Sequence, residues 1–282
     1  MDTGSWWSSP AGVLASLEQG GNVLLLNPRL PREQTVRWQA LWEDLVVPRF
    51  RGHLGLLTSG TGGSGSLVLL SLAALRCSAA AVNRHLGATS ADTSLNVLPL
   101  FHVGGLGVHL RAAALGARVV ELPAGWSPAA CIETVMREEV SLLSLVPTQL
   151  YDLIAAGHPA PDTLRAVVIG GARLEAELRI RARDLGWPVL PSYGLTECAS
   201  QVATASVSSL REEGRDPDLL LLDHVDARID PAGRIVIRSG ARCTAVLHDL
   251  RGEGRLTFPA PDDWFTTADP VSYTHLTLPT KA

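Results

Sequence analysis

Short apolar runs alternate with longer segments of helical periodicity along most of the chain. The runs predict strands, and segments with apolar residues three and four positions apart predict helices. The predicted strands cover residues 22–26, 54–57, 94–98, 117–122, 140–146, 164–169 and 187–191. The predicted helices cover residues 32–46, 68–86, 105–115, 128–139, 148–156 and 174–185, the last with Gly186 just past its end. Strands that alternate with helices in this way are typical of βαβ units, so we expect an α/β protein with doubly wound, mainly parallel sheets.

The pattern changes after about residue 205. Short apolar runs at 234–237, 245–247 and 255–258 follow one another without a helical segment between them. Such runs, separated by turn residues, are typical of antiparallel strands. We therefore expect a smaller β region after the doubly wound part.

Composition narrows the class of protein. Hydrophobic residues make up 46% and charged residues 18% of the 282 positions, which indicates a large buried core and excludes a disordered chain. The net charge of −4 supplies no basic field for nucleic acid or an acidic membrane. Polar residues or glycines interrupt every apolar stretch before it reaches the length of a membrane span, and the first residues lack the pattern of a signal peptide. The four cysteines are far apart in sequence, which argues against a zinc site or a disulfide framework and favours the cytoplasm.

The last residues differ in amino-acid composition from the rest of the chain. All but one of the 24 basic residues are arginines, and the exception is Lys281. Residues 270–282 are rich in Thr and contain no Arg, acid or Gly. We expect this tail to be non-native sequence, the alternative being a genuine C-terminal strand.

A loop rich in Gly, Ser and Thr follows the predicted strand 54–57. Its sequence from Thr58 to Ser66 is TSGTGGSGS, and the predicted helix 68–86 comes directly after it. Glycines let backbone N–H groups surround an anion, and a helix N-terminus favours negative charge, so the loop predicts phosphate binding. A flexible linker is the alternative. The loop lacks the Gly-Lys-Ser/Thr of a Walker-type phosphate loop.

The segment SYGLTE, residues 192–197, follows the predicted strand 187–191. Tyr193 offers a flat ring, Gly194 allows close approach of the backbone, Thr196 offers a hydroxyl and Glu197 a carboxylate for Mg²⁺. This combination suits a nucleotide. The alternative is an ordinary turn followed by a helix cap.

Other strand ends carry further candidates. His102 lies after a predicted strand, where ligands of open α/β sheets bind, although a single histidine is more often structural. Thr148 is expected to cap the helix that follows it. Small residues at 170–172 allow a flat ligand to approach or, alternatively, let a helix pack tightly. Asp269 ends a predicted strand and is able to accept hydrogen bonds from ribose hydroxyls.

Taken together and in this order, segments 58–63, 99–102, 146–148, 170–172, 193–197 and 265–269 resemble the acyl-adenylate-forming (AMP-binding) superfamily. That superfamily includes acyl-CoA synthetases, luciferases and peptide-synthetase adenylation domains. The stretches 99–106 and 186–204 are most similar to the o-succinylbenzoate–CoA ligases of menaquinone biosynthesis. The resemblance covers about residues 50–269. It implies that residues 1–269 form the large N-terminal domain of such an enzyme, shortened at its start, with the C-terminal cap domain absent.

The resemblance also implies roles for individual residues. Residues that would bind ATP are Thr58, Ser59, Gly60, Thr61, Gly62 and Gly63 at the phosphates, Gly170, Gly171, Ala172, Tyr193 and Gly194 around adenine, and Asp269 at the ribose. The implied catalytic residues are His102 beside the acyl pocket, Thr196 at the α-phosphate and Glu197 as the Mg²⁺ ligand.

The implied activity is an AMP-forming acid–thiol ligase that uses ATP, Mg²⁺ and CoA on a small carboxylic acid. The acid implied is o-succinylbenzoate, with Arg173, Ser200 and Gln201 as candidates to hold its second carboxylate. The alternatives are a ligase for another aryl or fatty acid, or a nucleotide-binding protein without catalysis. An unrelated α/β enzyme is disfavoured, because no Gly-x-Gly-x-x-Gly follows the first predicted strand, residues 22–26.

Two departures from the family pattern bear on activity. The lysine that usually ends the phosphate loop is replaced by Ser64, Gly65 or Ser66, and the usual Gly-Asp reads Ala268–Asp269. The cap domain would also carry a lysine that acts in adenylation, and Lys281 matches nothing in that pattern. We therefore expect this fragment to be impaired in catalysis.

Overall fold

The structure is a computed structural model that describes residues 9–58, 65–122, 125–212, 217–250, 253–259 and 264–270. The helices are α1 (Pro10–Glu18), α2 (Arg32–Leu45), α3 (Leu72–Leu86), α4 (Val103–Leu115), α5 (Pro128–Arg137), α6 (Pro147–Ala155) and α7 (Ala176–Asp184). The first strands are β1 (Val23–Leu25), β2 (His53–Thr58), β3 (Ser66–Ser71), β4 (Thr93–Asn96), β5 (Arg118–Glu121), β6 (Leu142–Leu145), β7 (Ala166–Ile169) and β8 (Val189–Leu195). The remaining strands are β9 (Ser200–Ala205), β10 (Leu219–Leu221), β11 (Val225–Ile229), β12 (Arg234–Ser239), β13 (Ala245–Leu250), β14 (Glu253–Thr257) and β15 (Phe265–Pro270).

The largest sheet has seven strands in the order β10-β9-β8-β7-β6-β4-β5. From β8 to β5 the neighbouring strands are parallel, whereas β9 and β10 extend the sheet with antiparallel pairs. The parallel part confirms the βαβ pattern of the sequence. It also gathers the carboxyl ends of several strands at one edge, where ligands of such sheets bind.

A second sheet has five strands in the order β1-β2-β3-β13-β14, and a third has the antiparallel order β11-β12-β15. The antiparallel strands expected after residue 205 are therefore present, but they do not form one separate region. Strands β9 and β10 extend the seven-stranded sheet, and β13 and β14 extend the five-stranded one.

Helices α3 and α4 lie between the two larger sheets. Leu75 and Leu106 pack with Leu54 and Val68 of the five-stranded sheet, and on the other side Val82 of α3 packs with Leu190 of the seven-stranded sheet. Other helices cover the outer faces: α2 covers the five-stranded sheet, and α5, α6 and α7 cover the seven-stranded one. This layering confirms the expected α/β class. No helix among the described residues is long and apolar enough to cross a membrane.

The predicted helix 68–86 is wrong in its first part, because Ser66–Ser71 is strand β3. A short run of buried apolar residues has no periodicity that separates a strand from a helix, and here β3 is paired on both sides by β2 and β13. The helix begins at Leu72, where the Ser71 hydroxyl accepts a hydrogen bond from the Ala74 N–H at 3.1 Å. The glycine-rich segment therefore precedes a strand, and the expected helix N-terminus behind it is not there.

The predicted Thr148 cap is also wrong. The N-cap of α6 is Val146, and Pro147 occupies the first helical position. The side chain of Gln149 accepts a hydrogen bond from the Val146 N–H at 3.1 Å and donates one to the Val97 carbonyl at 3.3 Å. Gln149 thus fixes the start of the helix to the end of the β4 segment.

Candidate active site

Two adjoining cavities lie at the carboxyl ends of the parallel strands. The first, here the Tyr193 cavity, has a volume of about 350 Å³. The second, here the Arg111 cavity, has a volume of about 420 Å³. Gly171, Ser192 and Gly194 line both, so the two spaces meet at these small residues. A ligand with two chemically different ends is able to occupy both.

The structure brings most of the described candidate residues to these cavities. Ala172, Tyr193 and Asp269 line the Tyr193 cavity, and Thr58, His102, Gly170 and Thr196 line the Arg111 cavity. Ser59, Gly60, Thr61, Gly62 and Gly63 lie outside the described residues.

Strand β8 changes partner where the SYGLTE segment begins. Its first residues pair in parallel with β7, and from Ser192 onward it pairs antiparallel with β9, with an irregularity between Tyr193 and Gly194. A Cβ atom on Gly194 would lie 2.1 Å from the Ser200 carbonyl oxygen. Glycine is therefore required here by the close approach of β9, and residues 192–195 of the segment continue strand β8 past the predicted end at residue 191.

Tyr193 and Asp269 are in direct contact. The Tyr193 hydroxyl donates a hydrogen bond of 2.8 Å to Oδ2 of Asp269. Burial raises the pKa of Tyr193, and its bond to Asp269 raises the pKa further, so the phenol keeps its proton. The carboxylate of Asp269, on an exposed residue, remains open to the cavity for further hydrogen bonds.

Thr196 and Glu197 lie on a 3-10 turn, Thr196–Cys198, directly after β8. The Cys243 N–H donates to the Glu197 carbonyl at 2.7 Å, which ties this turn to the start of β13. The turn ends in left-handed backbone at Ala199, with φ of 53°, and Ser200 follows with φ of 124°. Non-glycine residues rarely adopt these values, and such strain is concentrated at functional sites.

Glu197 lies on this turn but is not among the residues that line either cavity. Burial raises the pKa of Glu197, and the negative charge of Asp269 raises it further, so a nearby cation would relieve an unfavourable charge. No group of three or more His, Cys, Asp or Glu side chains suited to a metal occurs among the described residues.

Arg111 is the functional candidate that the sequence analysis missed. It lies on α4 with its guanidinium at the Arg111 cavity, where Nη2 donates to the Ser144 hydroxyl at 3.1 Å. Burial lowers the pKa of Arg111 to about 10. None of the described carboxylates forms an ion pair with it. Arg111 is half-buried, and a partly desolvated arginine without an anion is costly, so the cavity holds an unmatched positive charge.

Gly107 makes room for this arginine. It lies one helical turn before Arg111, and a Cβ atom there would lie 3.3 Å from Nη1 of Arg111 and 4.0 Å from the Ser200 hydroxyl. Ser200 and Gln201 also line the Arg111 cavity, as their candidacy for a second carboxylate requires. The sequence signal for this group was an arginine in a mainly apolar helix, four residues after a glycine.

Arg173 lies elsewhere. Its side chain is 54% exposed, lines the Tyr193 cavity and has the carboxylate of Glu175 at 3.8 Å. Arg173, the arginine near Gly170 and Gly171 in sequence, is therefore directed to the Tyr193 cavity. Arg111 is the arginine that lines the cavity of Ser200 and Gln201.

His102 is the N-cap residue of α4, and its ring contacts that of Phe101 with 4.6 Å between centroids. The residue is exposed, yet neighbouring atoms bury enough of the imidazole to lower its pKa, which favours the neutral form at neutral pH. A neutral ring at the mouth of the Arg111 cavity adds no charge to it.

The ends of the strands beside the glycine-rich segment carry a row of polar groups. The Thr58 hydroxyl donates to the Ser66 carbonyl at 3.1 Å, and the Ser66 hydroxyl is 3.0 Å from Nδ1 of His248. Nε2 of His248 is 2.9 Å from the Thr257 hydroxyl. His248 was not predicted, because the pairing of β13 with β3 joins residues that are distant along the chain.

Comparison with known proteins places these features in a family. The family described as AMP-binding enzyme matches residues 56–239, more than half of the chain. The chain is 34% identical over 151 residues to the 2-succinylbenzoate–CoA ligase of Bacillus subtilis, covering 54% of this chain and 31% of that protein. It is 29% identical over 231 residues to the enzyme of the same name from Staphylococcus aureus, covering 78% of this chain and 44% of that protein. The chain thus spans less than half the length of these relatives.

Solved structures show the same fold. The o-succinylbenzoate CoA synthetase of Bacillus subtilis in complex with the acyl-adenylate intermediate OSB-AMP superposes with a TM-score of 0.74 at 22% identity, covering 93% of this chain and 66% of that one. A double mutant of that enzyme bound to the product analogue OSB-NCoA gives a TM-score of 0.63 at 25% identity, covering 77% of this chain and 49% of that one. The solved structures agree with this chain in fold, and the family match over more than half of its residues shows that the chain belongs to the AMP-binding enzyme family.

Proposed function

We propose that this chain is the adenylation domain, residues 1–269, of an AMP-forming acid–CoA ligase. An oxygen of the substrate carboxylate attacks the α-phosphorus of ATP, which forms acyl-AMP and releases pyrophosphate. The sulfur of CoA then attacks the acyl carbon, and AMP leaves. The observation that carries the proposal is the pair of joined cavities, since one offers a ring and a carboxylate to a nucleoside and the other a half-buried cation to an acid.

The Tyr193 cavity would hold the nucleoside. Tyr193 would stack on adenine beside Ala172, and Asp269 would accept hydrogen bonds from the ribose. Gly171 and Gly194 bring backbone close to the junction of the two cavities, where the α-phosphate would meet the acid. The protein would thus contribute mainly positioning.

The junction would carry the chemistry. Thr196 would donate its hydroxyl to the α-phosphate, and Thr58 with the segment 59–63 would bind the outer phosphates. Glu197 would hold Mg²⁺, which supplies positive charge against the negative charge of the phosphates. His102, at the mouth of the Arg111 cavity, would border the acyl group and the path of the thiol.

Arg111 supports a dicarboxylic acid as the substrate. One carboxylate must reach the junction to react, and a second, in the Arg111 cavity, would neutralise the guanidinium. Apolar residues on the same wall, among them Leu98, Val146 and Val168, suit the ring and chain of an aryl acid. o-Succinylbenzoate has both carboxylates and the ring, and it is the acid in the names of the relatives. We assign the protein to menaquinone biosynthesis in the cytoplasm on this basis.

Calorimetry tests the proposal. Mg·ATP and o-succinylbenzoate are titrated into the protein separately and together. We expect each to bind, and the acid to bind more tightly in the presence of a non-hydrolysable ATP analogue, because the two cavities meet. Benzoylpropionate, which has the same chain and ring but lacks the ring carboxylate, serves as the matched ligand and should bind more weakly. Absence of ATP binding would refute the adenylation role, and equal affinity for the two acids would refute the dicarboxylate assignment.

A further inference from the structure

Asp269 is presented by a bulge in strand β15. Thr266 pairs with Val236 and Pro270 pairs with Arg234, so four steps along β15 match two steps along β12. The extra residues in between include Asp269. A bulge of this kind redirects a side chain away from the regular alternation of the strand, and here it brings Asp269 to Tyr193.

Thr267 anchors the bulge from the inside. This residue is 3% exposed, and its hydroxyl donates to the Ile235 carbonyl at 3.0 Å. The same oxygen accepts a hydrogen bond from the Asp269 N–H at 3.3 Å. The backbone of Asp269 is therefore fixed to β12, while its side chain remains free to rotate unless another group holds it.

Tyr193 supplies that second attachment. Its ring packs against two apolar clusters, one around Leu190 and Ala203 and the other around Val202 and Ile237, so the position of the hydroxyl is set by packing. Among the described residues, no cation pairs with Asp269, and the Tyr193 hydroxyl is the side-chain donor to its carboxylate. The bond occupies one of about four acceptor positions on the carboxylate, and no side-chain donor from the described part of the chain reaches Oδ1.

We infer that the Tyr193 hydroxyl is a positioning group for sugar recognition, in addition to the place of its ring beside the base. It holds Asp269 in the rotamer in which the remaining acceptor positions meet the two ribose hydroxyls. The inference rests on the proposed function, because it requires that a ribonucleotide occupies the Tyr193 cavity. Stacking of the ring on the base does not require the phenol oxygen, so the hydrogen bond to Asp269 is a separate role of Tyr193.

The variant Tyr193→Phe keeps the ring and removes the hydroxyl. Its affinities for ATP and for the deoxy analogue that lacks the ribose 2′-hydroxyl are measured by calorimetry, and the ratio of the two dissociation constants gives the sugar discrimination. We expect Tyr193→Phe to reduce this ratio by roughly 3- to 10-fold, mainly by weakening ATP, since the ordered carboxylate acts on the hydroxyl that the analogue lacks. The matched control is Tyr151→Phe, an exposed tyrosine on α6, which should leave the ratio unchanged.

A double-mutant cycle separates positioning from a general loss of structure. Asp269→Asn should remove most of the discrimination, and Tyr193→Phe added to it should remove little more. The inference is overturned if Tyr193→Phe weakens both nucleotides equally, or if it lowers the ratio as much in the Asp269→Asn background as alone. Failure of the proposed function looks different, because the unaltered protein would then bind neither nucleotide, which overturns both claims.

Discussion

Replacing Arg111 by Met should make the protein more stable and its acid binding weaker. Burial lowers the pKa of Arg111 from 12.5 to about 10, and a shift of this size corresponds to about 3 kcal/mol against the charged form. The guanidinium borders an open cavity, so we take roughly half of that value as recoverable. Loss of the hydrogen bond to Ser144 costs about 1 kcal/mol at most, and the apolar Met side chain offsets part of it. The net effect should be stabilisation by about 1 kcal/mol, or a rise in Tm of roughly 2–4 °C.

The effect on binding has the opposite sign. Removing one partner of a buried charge pair costs about 2–4 kcal/mol, which corresponds to roughly 30- to 1,000-fold in the dissociation constant for o-succinylbenzoate. Benzoylpropionate should bind equally to the unaltered protein and to Arg111→Met, because it has no ring carboxylate for Arg111. Thermal unfolding and calorimetry with the two acids measure both effects.

The matched control is Arg76→Met, an exposed arginine on α3 paired with Glu18, which should change neither quantity appreciably. The reasoning is refuted if Arg111→Met lowers Tm while the preference for the dicarboxylate persists. That result would show that the arginine stabilises the fold and does not receive the substrate.

Two further predictions concern the SYGLTE segment. The raised pKa of Glu197 means that the folded state holds this proton more tightly than the unfolded state, so its contribution disfavours the fold as pH rises through the folded pKa. Mg²⁺ competes with the same proton, so Glu197→Gln should weaken Mg²⁺-dependent ATP binding about tenfold. The variant should also lose the part of the pH dependence of this binding that lies above pH 4.5, which calorimetry at several pH values measures. An unchanged pH profile would exclude Glu197 as the metal ligand. Gly194→Ala should destabilise the protein by about 3 kcal/mol or more in denaturant unfolding, because its Cβ would lie 2.1 Å from backbone of β9, whereas Gly104→Ala meets only a Leu98 methyl at 3.4 Å and should cost far less. Equal costs for the two glycines would contradict the close approach of the strands.

The sequence predicted the parallel part of the fold and most of the site for one physical reason. Each strand of a βαβ unit is followed by a loop at the same edge of the sheet, so segments 99–102, 170–172 and 193–197 were expected to meet there. Their small and polar residues stand out against the apolar strands. The structure brings residues of all three segments to the two cavities, although Glu197 lines neither of them.

Strand β3 was not predictable in the same way. Its apolar run continues into the Ala- and Leu-rich helix α3 without a change of composition, and only pairing with β2 and β13 decides that residues 66–71 are extended. The His248 contact with Ser66 depends on that same pairing. Information of this kind lies in the partner strands and not in the segment itself.

Arg111 illustrates a further limit. Its helix was predicted, but a helical pattern does not say which neighbour each face meets, and Ser144 lies on a strand 33 residues away. Proximity in sequence to Gly170 and Gly171 pointed to Arg173 instead, which the chain directs into the other cavity. The charge of an arginine is visible in a sequence, whereas its lack of an anion is visible only in three dimensions.

The most direct test of the whole account is a crystal structure of the protein with a stable analogue of the acyl-adenylate of o-succinylbenzoate. We predict electron density for the adenine against Tyr193, for the ribose within hydrogen-bond distance of Asp269, and for the ring carboxylate at the guanidinium of Arg111. Density for the analogue outside the two cavities, or with the ring carboxylate in solvent and Arg111 unmatched, would contradict the account.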